Sequence, residues 1–177
     1  MGKAVLISIR PKWCELIANG QKTVEVRKTA PKLQTPFKCY IYCTKSTDHP
    51  RGWLGCYDHD MHKFGLISPL NIEAGKHMNI EVVSGYVIGE FICRNIRPVV
   101  AGYIHGACLT CDEVTNYLGR NGRGWGLEIS DLSIYDKPKE LGEFRSWNTG
   151  VVFKDGYPMP THEIKRPPQS WMYVEDL

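Results

Sequence analysis

A chain of 177 residues has room for one domain, or for one domain carrying a sizeable insertion. With 42% hydrophobic residues, nine Tyr, five Phe and five Trp it can bury a core, which excludes an intrinsically disordered chain. The formal net charge is +3, and no run approaches the roughly 20 apolar residues that cross a bilayer.

That charge is unevenly spread. Residues 1–51 contain ten Lys or Arg against three acids, giving +7; the remainder has twelve against sixteen, giving −4. A basic N-terminal third fits a phosphate-bearing partner, and fits a Lys-rich solvated surface as well. Seven cysteines without an export signal indicate reduced thiols, not a disulfide framework, and a cytoplasmic location is expected. Neither a membrane partner nor a cofactor is expected.

In chain order, residues 4–9 read as a short buried strand. Pro11 suits the first turn of a helix whose apolar stripe is Trp13, Leu16 and Ile17, and Gly20 stands where a left-handed residue ends such a helix. Alternation over 21–28 predicts a strand with Lys22, Val24, Val26 and Lys28 on one face and Thr23, Glu25 and Arg27 on the other. A third strand, 37–45, places Phe37, Cys39, Ile41 and Cys43 opposite Lys38, Tyr40, Tyr42 and Thr44. Residues 46–84 are turn-rich and read as an irregular insertion, with one strand near 78–83. Further strands are expected at 85–93, 126–135 and 171–174. Thr110 with Glu113 forms the pattern of a capping box and opens a helix through Leu118, stopped by Gly119. Short strands interrupted by two or three helices indicate an α+β domain with a small, partly closed barrel.

Several residues carry recognisable chemistry. Lys22 and Arg27 offer donors to phosphates or base carbonyls, and Glu25 can accept from an exocyclic amine. A solvated strand with a cross-face ion pair explains the same pattern. Ser8, Arg10 and Lys12 lie where the first strand meets the first helix, a place suited to an anion or to an ordinary cap. The run 119–126 is basic and glycine-rich: Arg123 can grip a phosphate while Trp125 stacks on a base, or the loop is a hinge whose Trp covers the end of the barrel. Tyr40 offers another stacking surface, or packs beneath a loop. Glu90, between Ile88 and Ile92, is either a carboxyl of raised pKa or a lip residue reaching solvent. Cys108-Leu-Thr-Cys111 has zinc-ligand spacing without a second such pair, and Cys56, His59 and His62 cluster in the insertion. A structural zinc takes four ligands, which the second cluster reaches with help from Asp58 or Asp60; core thiols and ordinary surface groups explain the same residues, and no metal is assigned.

The runs Ser8-Ile9-Arg10-Pro11-Lys12-Trp13, Ile17-Ala18-Asn19-Gly20 and Gln21-Lys22-Thr23-Val24-Glu25-Val26-Arg27 resemble the signature of ASCH domains, a helix followed by Gly-x-Lys-Thr-x-Glu-x-Arg. Weaker pieces follow at Tyr40–Tyr42, Val87–Phe91, Ile129–Leu132 and Tyr135–Pro138, and the resemblance ends at Pro167–Glu175; most of 46–84 and 145–165 lies outside it. It implies one ASCH domain over 1–177 with an insertion at about 46–84. The implied fold is a small PUA-like mixed or antiparallel β-barrel flanked by helices, with a basic cleft beside the first helix that binds RNA or a modified nucleoside or nucleotide. Some relatives in this family are amidohydrolases acting on N4-acetylcytidine and others are ribonucleases. In the amidohydrolases a Lys, a Thr three residues later and a more distant Glu do the work. Lys22 matches the Lys, while Glu25 stands in place of the Thr. The alternative function is therefore a hydrolase of an N4-acylated cytidine or of RNA, in which Lys22 activates water or stabilises an oxyanion and Glu25 moves the proton. An adaptor role for the insertion, with an unknown protein partner, is a third reading.

Overall fold

The computed structural model describes residues 2–45, 54–67, 80–99, 104–119, 122–148, 152–157 and 159–177. Among these lie two helices and nine strands: β1 (Lys3–Ile9), α1 (Pro11–Ala18), β2 (Val24–Arg27), β3 (Phe37–Cys43), β4 (Leu54–Asp58), β5 (Lys63–Ile67), β6 (Ile80–Val82), β7 (Val87–Val99), α2 (Cys111–Leu118), β8 (Gly124–Lys139) and β9 (Trp171–Glu175).

Strand β1 is apolar without alternation because both its faces are covered. Val5, Ile7 and Ile9 enter the larger core cluster with Cys39, Ile41, Phe91 and Ile17, whereas Ala4 and Leu6 enter a second cluster with Tyr40, Phe144 and Val174. It lies parallel to β3, in the register Val5↔Cys39, and antiparallel to β9, in the register Val5↔Tyr173. A parallel pair needs a crossover, and α1 followed by β2 supplies it. Pro11 opens α1 at its first position; Asn19 is its C-cap, and Gly20, at φ +72°, takes the left-handed conformation that turns the chain into β2.

Six strands form one sheet in the order β2-β8-β7-β3-β1-β9. The end strands β2 and β9 do not pair, so the expected barrel is not closed. Side chains cross the open seam instead. The Arg27 guanidinium donates to the Ser8 carbonyl. The Trp171 indole N–H lies 3.1 Å from the Thr29 carbonyl, and the Lys32 amide donates to the Tyr173 hydroxyl at 2.7 Å. Sheet curvature comes from irregular pairing of the two long strands, whose register shifts between Val87 and Gly89, Glu90 and Ile92, and Cys93 and Asn95.

The insertion is more regular than its turn-rich sequence suggests. Strands β5-β4-β6 form a separate three-stranded sheet, and Tyr57 and Phe64 pack into the main core with Ile17 of α1. A turn at Asp58, whose carboxylate accepts from the Asp60 and Met61 amides at 3.0 and 2.9 Å, joins β4 to β5. The expected strand near 78–83 is β6, while residues 46–53 and 68–79 lie outside the described ones. The glycine-rich run 119–126 is only partly a loop: its second half, Gly124–Gly126, begins β8 and pairs with β2, and Arg120 and Asn121 are outside the described residues. No helix among the described residues is long and apolar enough to cross a membrane.

Gly89 shows how tightly the curved strands meet. A Cβ there would sit 2.4 Å from the Ser133 carbonyl oxygen and 3.0 Å from the Ile134 Cα, backbone atoms that cannot rotate aside. Gly89→Ala is expected to lower unfolding stability by about 1–3 kcal/mol through overpacking, read as a lower urea midpoint at an unchanged slope.

Candidate functional site

A cleft of about 740 Å³ opens at the seam. Its floor is made by Ser8 and Ile9 of β1, Glu25, Val26 and Arg27 of β2, and Lys22 and Thr44; Trp13 of α1 forms one wall. The opposite wall is Leu109 with Glu113, Asn116 and Tyr117 of α2, and the segment Pro167–Ser170 closes the third side.

Charge organises the floor. Lys22, Glu25 and Arg27 are all buried, at 2%, 6% and 7% exposure. Glu25 lies between the two cations, its Oε2 3.3 Å from Lys22 Nζ and its Oε1 3.0 Å from the Arg27 guanidinium. Lys22 Nζ also donates to the Val24 carbonyl at 2.9 Å and the Ala107 carbonyl at 2.6 Å. Two of the ammonium's three N–H donors are thus taken by carbonyl oxygens, and Glu25 faces it as a counter-ion. Two cations against one carboxylate leave the floor with one excess positive charge in a place shielded from water, where charge acts more strongly than on the surface. Two polar atoms there have no partner among the described residues: Arg27 Nε and Thr44 Oγ1. Both residues line the cleft. A buried unpaired N–H costs about 1–3 kcal/mol.

Backbone fixes this arrangement. The Thr23 and Val24 amides both donate to the Gly106 carbonyl, at 2.8 and 2.9 Å, clamping the start of β2 to the 104–107 loop. That loop leads into α2, whose capping box is complete: Thr110 Oγ1 accepts from the Glu113 amide at 3.1 Å, and Glu113 Oε2 accepts from the Thr110 amide at 2.9 Å. The Thr110 N–H holds the Glu113 carboxyl below the usual carboxylate range, and Lys12 at 3.3 Å adds to it. On the other side, Ser8 Oγ donates to the Pro168 carbonyl at 2.7 Å and the Ser8 amide to the Ser170 carbonyl at 2.9 Å.

Of the residues singled out in the sequence, Ser8, Arg10, Lys22, Glu25 and Arg27 come together in the cleft, with Arg10 at the N-cap of α1. Lys12 stands beside it, over the Trp13 ring at 4.4 Å and paired with Glu113. The expected face assignment for 21–28 is corrected: Lys22 precedes the extended strand and turns in beside Glu25 and Arg27, while Thr23 is exposed and lies outside the cleft lining. Tyr40 is remote from the cleft. It sits in the second core, edge-on to Phe144, and its hydroxyl donates to Asp176 at 2.7 Å; burial first, and then that bond, push its pKa up to about 12. Glu90 is also elsewhere, accepting from the Tyr135 hydroxyl and facing Lys38 at 3.7 Å. Arg123 and Trp125 are exposed and do not line the cleft.

The sequence reading missed Trp13 as a cleft wall, along with Thr44, Asn116, Tyr117 and Pro167–Ser170. Trp13 and the Pro167–Ser170 run lay within the resemblance, which was the available signal; nothing local marked Thr44, Asn116 or Tyr117.

Among the possible metal ligands, Cys108 and Cys111 are exposed free thiols and Cys56 is buried, while His59 Nε2 faces Glu81 at 3.2 Å. No group of three or more His, Cys, Asp or Glu suited to a metal ion occurs among the described residues.

Residues 7–73 match the family model of the ASCH domain. That match takes in α1, β2 and the Lys22–Arg27 charges of the cleft floor. Its fold is similar to the crystal structure of ASCH from Zymomonas mobilis at 17% identity and a TM-score of 0.57, with 97% of this chain and 87% of that chain covered. Two single-substitution variants of the same Zymomonas protein match equally, at 17% identity and TM-score 0.57, with 97% of this chain covered and 90% and 88% of theirs. No curated protein matches the chain. The ASCH domain is a PUA-like fold family often linked to RNA binding.

The buried charges give a direct test of what holds the floor. Glu25→Gln strands two buried cations and is expected to cost about 3–5 kcal/mol of stability, whereas Lys12→Gln, which breaks a surface pair, should cost less than about 1 kcal/mol. Parallel urea titrations of the two variants make the comparison.

Proposed function

We propose that the cleft binds RNA through one splayed-out nucleotide, and that a free or modified nucleoside or nucleotide is the smaller form of the same ligand. The observation that carries this reading is a cleft whose buried floor sets Lys22 and Arg27 against one carboxylate and so holds excess positive charge. That charge favours a base carbonyl or a phosphate oxygen. The Glu25 carboxylate keeps lone pairs beyond its two cations and can take an exocyclic amine. Trp13 and Tyr117 supply aromatic surfaces on facing walls, and exposed Arg10, Lys12 and Lys28 surround the mouth. The volume, about 740 Å³, lies in the range of pockets that enclose one small organic ligand.

Binding is favoured over hydrolysis for a reason specific to Lys22. A lysine that activates water must reach it, and this one is 2% exposed, bonded to two carbonyls and paired with Glu25. It serves the floor as a fixed cation.

The cleanest test uses wall residues that are exposed, so that folding is not at issue. The double variant Asn116→Ala/Tyr117→Ala should weaken binding of ribonucleoside monophosphates by about tenfold, the worth of one stacked base, with an unchanged melting temperature. Isothermal titration against the four monophosphates measures it, and an affinity equal to that of the unaltered protein would remove the cleft from consideration.

A further inference from the structure

Two more depressions border the cleft. One, of about 720 Å³, is lined by Arg145, Lys165 and Arg166 with Thr161 and His162; the other, of about 470 Å³, has Lys45, Tyr86 and Gly142 on its walls. They share Glu163, Ile164 and Lys165, and so form one groove. Each end of that groove holds a residue next in the chain to one that lines the cleft: Lys45 follows Thr44, and Arg166 precedes Pro167.

We infer that this groove carries the backbone of a single-stranded nucleic acid whose neighbouring nucleotide occupies the cleft. The inference rests on the cleft reading and extends it from a nucleotide to a polymer. Its physical basis is charge and access. Lys45, Arg145, Lys165 and Arg166 are all exposed, against Glu140 and Glu163 as the only acids lining the groove among the described residues. Arg145 is held in position, its Nε 3.2 Å from Thr161 Oγ1 and its terminal nitrogen 3.4 Å from the Thr161 carbonyl. Lys165 and Arg166 lead into Pro167-Pro168, whose rings fix φ and restrict the residue before them, so these two cations project from a stiffened backbone. Half-buried Tyr86 offers one stacking face inside the groove.

Two exposed aromatic rings follow Arg145 in the chain. The segments 145–146 and 162–163 pair antiparallel, and Asn148 Nδ2 reaches the Pro160 carbonyl at 2.8 Å. They lead to a tight turn at Phe153–Tyr157, where both rings are exposed, at 46% and 71%. Cations along a track with aromatic rings beside it are the elements that hold a single strand irrespective of sequence. A duplex does not fit, since a paired base cannot enter the cleft.

The test compares the full chain with Lys45→Gln/Lys165→Gln/Arg166→Gln, three exposed neutral replacements outside the cleft lining. Each protein is titrated with a 12-nucleotide single-stranded RNA and with the four ribonucleoside monophosphates, over a series of salt concentrations. The unaltered protein should bind the 12-mer at least tenfold more tightly than any monophosphate. In the variant the 12-mer should lose about tenfold, with monophosphate affinity unchanged. The slope of log K against log salt should also fall in magnitude by about 2, from about 0.7 for each of three lost phosphate contacts. A 12-mer affinity and slope unmoved by the substitutions overturn the groove and leave the cleft reading intact. A parallel loss for monophosphates also overturns it, because the three cations would then act on the cleft's field alone. If neither protein binds a monophosphate and the 12-mer still weakens in the variant, the groove stands and the cleft reading falls. No RNA binding by either protein overturns both.

Discussion

Arg27 is the member on which the rest of the arrangement depends. A six-stranded sheet curled this far has two edges that approach without pairing, and a guanidinium spans part of that gap to the Ser8 carbonyl. Placing a cation there removes it from water, which is tolerable only with a nearby counter-charge. Glu25, two residues earlier on the same strand, supplies it. Glu25 in turn is balanced by Lys22, which is anchored to the Ala107 carbonyl, and that anchor sets the position from which α2 starts. One buried cation thus accounts for the carboxylate, the lysine, the loop and the helix overhead.

This arrangement is a poor way to maximise stability and a good way to keep a cavity. Continuous backbone pairing between β2 and β9 would satisfy more groups and would occupy the space where the cleft now lies. Leaving the seam to a few side-chain bonds preserves an opening whose floor is charged and preorganised, so a ligand meets donors that need not reorient on binding. The cost is local. Elsewhere β1 is buried on both faces, and the two main clusters on either side of it are apolar and continuous.

Much of the scaffold was legible in the sequence, and for identifiable reasons. Pro11, Gly20 and the Thr110/Glu113 pair are local signals, each acting within four residues, and each sits where its chemistry predicts. The branched, mainly apolar run 4–9 announced a short buried strand. Lys22 was misplaced because period-two alternation was extended past the start of the strand, into residues whose direction is set by the Gly106 carbonyl. The strands of the insertion were missed since five-residue segments such as Leu54–Asp58 and Lys63–Ile67 contain glycine and charge where a longer strand would show a pattern. A partly closed barrel was expected from short strands interrupted by helices, yet closure depends on whether two particular edges meet, which no local pattern encodes. The walls of the cleft were unreadable for the same reason: Asn116, Tyr117 and Pro168 are related to Arg27 only through the tertiary fold.

The bond from Ser8 to the Pro168 carbonyl joins residues 160 positions apart, and β1 completes its pairing with Trp171–Glu175. During synthesis the charged floor can form as soon as residues up to about 128 are available, but the third side of the cleft waits until residues 167–175 have emerged. A nascent chain paused before that point exposes one edge of β1 and holds Arg27 without its final enclosure. Unpaired strand edges of this kind invite association with other chains, so the same late-arriving segment that shapes the cavity also removes the most exposed hazard on the folding route.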